Sequence, residues 1–248
     1  MVIGADGLHS NTRRLAFGPE EPFRLDLGFT FNFFSMPNDL GLSHSAIIYS
    51  EPGRTAVAMA VRESPQLFVM LAFATDKPSS GTRLSMEEQI ERTAHLFSKG
   101  GWEVPRLVEA MRHADDLYFD TVSQIRMPHW SKGRVALVGD SAFAPSFLSG
   151  QGTSIAIVAA YVLAGELASH EDPADAFAAY ERMVRPFVEA NQDLPFREGG
   201  TSIILRTQEE VDARNRIFTS LAHGNIPREQ DDSIRKVHNS LRLPDYER

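Results

Sequence analysis

Apolar and polar residues alternate along "FTFNFFSM" (29–36), and the same two-residue beat returns in "SAIIYS" (45–50) and "TAVAMAV" (55–61). "QLFVMLAFA" (66–74) is a longer apolar run. Glu51-Pro52-Gly53 and Glu63-Ser64-Pro65 punctuate these segments as turns, so the pattern predicts an antiparallel sheet with one face buried. The beat then changes. "MEEQIERTAHLFSKGG" (86–101) and "VPRLVEAMRHA" (104–114) carry apolar residues at helical spacing, and "DLYFDTVSQIRM" (116–127) returns to the sheet.

Two further stretches have a different grammar. "MVIGADG" opens as a short strand entering an Asp-Gly turn, with Ser10 placed to cap a helical turn or two that Gly18-Pro19 stops. "RVALVGD" (134–140) is a strand that runs through a glycine-punctuated loop into an apolar helix over Ile155–Leu167, which reads as buried. Asp172 caps another helix with Pro173 at its first position, and Pro186 is expected to kink or divide it. The polar tail from 201 onward holds one more candidate helix, "EEVDARNRIFTSLAHG".

Composition adds a few exclusions. The chain has 248 residues, 42% hydrophobic and 23% charged, as in ordinary globular proteins. A net charge of −8 without a Lys/Arg stripe argues against nucleic acid as a partner. The absence of cysteine removes thiolate metal sites and thiol nucleophiles. The histidines show no HxxxH or HExxH spacing, and no GxSxG occurs. No apolar run reaches the roughly 20 residues of a membrane span, so no membrane association is expected and a cytoplasmic setting is.

The chemistry lies in the glycine loop. Gly139-Asp140 falls where a strand ends, so the carboxylate projects from the C-terminal edge of a sheet, where a ribose hydroxyl is its natural partner. Gly150-Gln151-Gly152 removes side chains so that backbone N–H groups can approach a ligand, and the helix that follows turns its positive end to the same place. A lone Gly-x-Gly is as often only a tight connection. Here the whole arrangement, Gly-Asp, two small residues, a Pro-containing spacer and Gly-Gln-Gly before an apolar helix, resembles the second FAD-binding motif of the p-hydroxybenzoate hydroxylase-like flavoprotein monooxygenases.

"VIGADGLHSNTRR" is similar to the Asp-Gly motif of the same family, and the resemblance covers Met1 to about Asp193. It implies a fold of the α/β plus α+β type: part of a Rossmann-like FAD-binding domain (1–20 and 127–193), an antiparallel substrate-binding sheet (21–126) and a C-terminal helical tail (194–248). It implies that Asp6, Gly7 and Arg13 lie near the FAD pyrophosphate and the pyridine nucleotide. Gly139 and Asp140 would meet the ribityl or ribose, Gly150, Gln151, Gly152 and Thr153 the isoalloxazine, and Pro145 would shape the loop. The implied activity is NAD(P)H-driven oxygen insertion into a small hydrophobic or aromatic, polyketide-like substrate. Phe31, Phe33, Tyr49, Met59, Met70 and Phe147 are candidate pocket residues.

The sequence departs from the family's pattern in places. Phe143 stands where many relatives have His, Phe147 where many have Pro, and Ser154 where Asn is common. The GxGxxG segment that holds the ADP half of FAD in the family does not occur in these 248 residues. Three readings follow: a fragment, a partner polypeptide that supplies the segment, or a flavin-free binding or cyclase-like protein on the same scaffold. The intact flavin-side loop favours the first two. The strands at Val2–Gly4 and Val135–Val138 are expected to lack sheet neighbours on any of these readings.

Overall fold

Ser10 accepts a hydrogen bond from the Arg13 N–H at 2.9 Å and so starts the first helix. The computed structural model describes residues 1–75, 84–196, 204–222 and 234–246. Along the chain run β1 (Val2–Gly4), α1 (Asn11–Phe17), β2 (Arg24–Pro37), β3 (Ser45–Glu51), β4 (Arg54–Ala60), β5 (Gln66–Ala74), α2 (Met86–Phe97) and α3 (Val104–Arg112). Then follow β6 (Tyr118–Ile125), β7 (Ser131–Lys132), β8 (Val135–Leu137), α4 (Asp140–Phe143), α5 (Gly152–Ser169), α6 (Pro173–Gln192) and α7 (Gln208–Ala222).

The chain divides into two compact units. One comprises Met1–Leu27, Ser123–Ser202 and Ile226–Arg248, the other Gly28–Val122 and Ile203–Asn225. The residues after 194 therefore do not form a tail of their own: they are shared between the units. The helix α7 belongs with the sheet because Arg206 donates to Gly28 O at 3.1 Å, Arg214 donates to Ser50 Oγ at 2.8 Å, and Gly53 N–H donates to Leu205 O at 2.6 Å. The last residues of the candidate helix, His223 and Gly224, lie outside the described residues.

In the sheet unit the strands are ordered β3–β4–β5–β2–β6, with antiparallel pairing from β3 through β2. Because side chains alternate sides, the register sorts the residues onto two faces. Phe34 and Met36 of β2, Leu67, Val69 and Leu71 of β5 and Ala56 and Ala58 of β4 share the face that packs on α2 and α3. The helices contribute Ala94, Phe97, Leu107 and Met111, all buried. A capping box between Ser85 and Glu88 starts α2.

In the other unit β1 pairs in parallel with β8, and β7 pairs with β8 in antiparallel fashion. The strand β8 thus has neighbours on both sides, contrary to expectation, because β7 turns back onto it. Among the described residues β1 pairs on one side only, and Met1, Val2 and Ile3 are exposed. Beneath β8, Trp130 packs on Phe143 (ring centroids 4.4 Å apart) and on Tyr180 (5.6 Å), and the Tyr180 hydroxyl donates to Leu137 O at 3.2 Å. Burying three such rings contributes several kcal/mol and fixes α6 against the sheet.

Two helices differ from expectation. The helix α6 runs unbroken through Pro186, since buried Val184, Phe187 and Val188 hold both sides of the lost hydrogen bond in place. The helix α5 buries Ile155, Ala159, Val162 and Leu163 but leaves Ile157 66% exposed. It is the one described helix long and apolar enough to cross a membrane by length and composition. At its far end Gly165 admits the ring of Tyr246, whose hydroxyl donates to buried Glu166 at 2.6 Å.

Candidate cofactor site

The loop between β8 and α5 owes its path to four positions. Gly139 has φ +68°, and a Cβ there would stand 3.2 Å from Ala156 Cβ, so glycine permits both the turn and the close approach of α5. Ser141 donates from its hydroxyl to Gly4 O at 2.7 Å and Val138 O at 2.8 Å, which binds the loop to β1. Ser146, a non-glycine residue, sits at φ 66° and ψ 158°, held there by the Leu148 N–H on its Oγ (3.1 Å). Gly150 closes the turn at φ 67°.

At the mouth of this loop polar groups stand unclaimed. The helix α5 has no side-chain cap, and the N–H groups of Gly152, Thr153 and Ser154 find no acceptor among the described residues. Nor does any described group donate to the Asp140 carboxylate. The residue is exposed, yet protein crowds its carboxyl closely enough that desolvation raises its pKa above the usual aspartate value. A Cβ on Gly152 would lie 4.0 Å from Asp140 Oδ1 and 3.9 Å from Pro145 Cγ, so carboxylate, proline ring and helix start converge on one space. Three donors with a positive helix end, beside one acceptor, suit a ligand that carries a hydroxyl and a negative or polarised edge.

The Asp-Gly loop has a different character. Asp6 accepts from Ser10 Oγ (2.5 Å), Thr12 N–H (2.8 Å) and Thr12 Oγ1 (3.0 Å). Burial pushes its pKa up, but these hydrogen bonds outweigh that and bring it to about 2. Arg13 is fully buried and donates to Leu8 O (2.6 Å), Glu20 Oε2 (2.5 Å) and Ser141 O (2.9 Å). The Arg13 guanidinium, expected near the pyrophosphate and the pyridine nucleotide, spends Nη1 and Nη2 on these three acceptors of its own chain, and its buried Nε has no partner among the described residues. Asp6 is likewise committed to starting α1. Gly7, at φ +81° with open space where a Cβ would stand, is the part of this loop that offers bare backbone.

The candidate pocket residues do not share one surface. Register places Phe31 opposite Ala72, Phe33 opposite Met70, Met70 opposite Val57, and Met59 opposite Phe68. Phe31, Phe33, Met59 and Met70 therefore lie on the face turned away from α2 and α3, where Phe33 stacks on Phe68 with centroids 6.0 Å apart. Tyr49 lies on the other face and is corrected as a pocket residue. Its hydroxyl accepts from Gly101 N–H at 2.9 Å and donates to Glu51 at 3.0 Å, and its ring stacks on Trp102. Phe147 belongs to the other unit, in the short 3-10 turn before Gly150.

Residues that sequence reading overlooked hold the loop from below. Gln124 and Gln192, both buried, donate to the carbonyl oxygens of Phe143, Ala144 and Pro145. A signal for Gln192 existed: it continues the helical spacing of Phe177, Tyr180, Val184 and Val188 along the buried side of α6.

Residues 1–194 match the FAD binding domain family. The chain belongs to that family, within the flavin monooxygenases that resemble p-hydroxybenzoate hydroxylase. A flavin-dependent monooxygenase from an unknown prokaryotic organism is 35% identical over 248 residues, 99% of this chain and 61% of the relative. The crystal structure of tetracycline destructase Tet(55) superposes with a TM-score of 0.78 at 34% identity, over 99% of this chain and 62% of that one. Klebsiella pneumoniae HpxO complexed with FAD and uric acid matches at TM-score 0.61 and 22% identity, over 78% of this chain and 51% of that one, a likeness of fold. The chain thus spans about three fifths of the length of the relatives it matches over its whole extent.

Proposed function

We propose that this chain carries the flavin side of an FAD site and the substrate sheet of an NAD(P)H-dependent, cytoplasmic monooxygenase. The observation that carries the reading is the unclaimed set at the β8–α5 loop: Asp140 without a donor beside the uncapped N–H groups of Gly152 to Ser154. FAD, when bound, supplies redox chemistry and the activation of dioxygen. Asp140 would accept from its ribityl or ribose hydroxyls. The Gly152, Thr153 and Ser154 N–H groups would meet the polar edge of the ring system, where the helix end favours negative charge by about 0.3–2 kcal/mol. Bare backbone at Gly7 leaves room for the pyrophosphate, and the adenosine half would be met by residues outside this stretch, on the same or a second polypeptide.

The sheet supports a reading of the substrate class. Phe31, Phe33, Val57, Met59 and Phe68 offer a broad apolar face on which a flat, hydrophobic or polycyclic polyketide-like molecule can lie. The likeness to Tet(55) over 99% of the chain supports that reading. FAD titration of the purified protein, followed by the visible spectrum and flavin fluorescence, tests it. Saturable uptake of FAD, then NAD(P)H oxidation stimulated by an aromatic polyketide, is expected; a protein that leaves added FAD free in solution would overturn the proposal.

A further inference from the structure

Among the described residues, a buried polar cluster lies behind the loop. Gln192, 3% exposed at the end of α6, donates from Nε2 to Ile125 O (2.8 Å), Phe143 O (3.2 Å) and Ala144 O (3.3 Å). Gln124, fully buried at the end of β6, donates from Nε2 to Pro145 O (3.1 Å) and to the backbone oxygen of Gln192 (2.6 Å). Its Oε1 accepts from Arg126 Nε at 2.8 Å, and Arg126 also donates to Gln192 O (3.2 Å) and Asp193 (2.9 Å). The amides thereby have fixed orientations: each side-chain nitrogen points at carbonyl oxygens, and the Gln124 oxygen is already occupied.

Three successive carbonyls, 143 to 145, lie between the helix that carries Asp140 and the strained Ser146 that leads into Gly150. Such a segment has no regular ladder of its own, and buried carbonyls without donors are costly. The Ile125 N–H of β6 donates to Ala144 O at 3.1 Å, and the side-chain amides of Gln192 and Gln124 supply the donors to Phe143 O and Pro145 O and a second one to Ala144 O. We propose that Gln192 and Gln124 are positioning residues: they fix the 143–145 segment and thereby the separation of Asp140 from the Gly152 end of α5. The inference rests on reading this loop as the flavin side of an FAD site.

The test compares the wild-type protein with Gln192→Leu, which keeps the volume and loses the donors, and with Gln192→Glu, which keeps the shape and presents acceptors to the carbonyls. Gln124→Met, which gives up one loop carbonyl, serves as the milder second variant. Two readouts are taken well below each variant's unfolding temperature: FAD dissociation constant by fluorescence quenching, and amide hydrogen exchange over 139–154. Expected are FAD binding weakened about tenfold in both Gln192 variants and exchange accelerated in 143–151 but not in the core of α6. Wild-type affinity within twofold in the folded variants, or exchange in the loop unchanged, overturns the inference. If the wild type takes up no FAD, the functional reading fails instead, and the exchange comparison still decides whether the amides fix the loop.

Discussion

Arg13 and Ser141 are 128 positions apart in sequence, and a 2.9 Å hydrogen bond from the Arg13 guanidinium to the Ser141 carbonyl joins the two glycine loops. The Ser141 hydroxyl returns the link by donating to Gly4 O. One buried cation therefore couples the Asp-Gly turn to the Gly-Asp turn. Its pKa is lowered by burial, which the Glu20 carboxylate offsets only in part.

Removing that cation leaves Leu8 O and Ser141 O without donors and Glu20 without its closest partner. Arg13→Met is expected to destabilise the fold by about 3 kcal/mol, the low end for breaking a buried pair because Arg24 and His9 still face Glu20. Arg13→Lys recovers less than half of this, since one ammonium cannot span three acceptors. Urea unfolding measures both. A lysine variant within about 0.5 kcal/mol of wild type would contradict the three-way role.

Asp140 presents the opposite balance between stability and ligand binding. Its carboxylate is crowded, has no donor among the described residues, and its pKa is raised by desolvation, so the charged form is disfavoured in the folded state. The sign follows: stability contributed by this site rises as pH falls through the raised pKa and is lower above it. Asp140→Asn is expected to raise the thermal midpoint of the flavin-free protein at neutral pH while weakening FAD about tenfold to a hundredfold, the worth of a charged acceptor. Calorimetry and flavin titration of the same samples check it. A variant that loses stability and binding together would show that Asp140 is structural.

Much of this was legible in the sequence, and the reasons for success and failure are physical. Strand alternation from Phe29 to Ala74 predicted β2 to β5 because one face of that sheet is buried and period two leaves a clear trace. The glycine-punctuated path from β8 into α5 was legible because the turns at Gly139 and Gly150 adopt positive φ, which favours glycine. The internal partners of Arg13 were not legible because sequence does not distinguish a cation aimed at a ligand from one held by the backbone oxygens and a carboxylate of its own chain. Tyr49 was misread because face depends on register, and the one-residue phase between β3 and β4 is set by the Pro52-Gly53 turn. Gln124 escaped notice because its amide nitrogen donates to backbone oxygens, which have no sequence signature.

The two faces of the sheet make a direct comparison possible. Tyr49→Phe removes hydrogen bonds with Gly101 and Glu51 on the helix-packed side, and it is expected to cost about 1 kcal/mol without changing ligand preference. Phe33→Ala, on the opposite face where the ring is 37% exposed, is expected to cost less than about 1 kcal/mol in stability. It should change the ranking of aromatic ligands in a binding panel. Equal effects of the two variants on that ranking would refute the assignment of faces.

Asp6 provides the pH test. In the folded protein its pKa is about 2 against 3.8 for the free side chain: burial raises it, but Ser10 Oγ and the Thr12 N–H and hydroxyl together lower it further. A depressed carboxylate contributes stability that is present above 3.8 and is lost as pH falls toward 2. The residue is exposed, so solvent screening limits the contribution to about 1 kcal/mol. Asp6→Asn keeps one acceptor and loses the charge, and its destabilisation relative to wild type is expected to be constant from neutral pH down to about 4 and to shrink below that. Chemical unfolding of both proteins across this range measures the difference directly. A difference that stays constant down to pH 2 would show that the charge of Asp6 has no part in holding the start of α1.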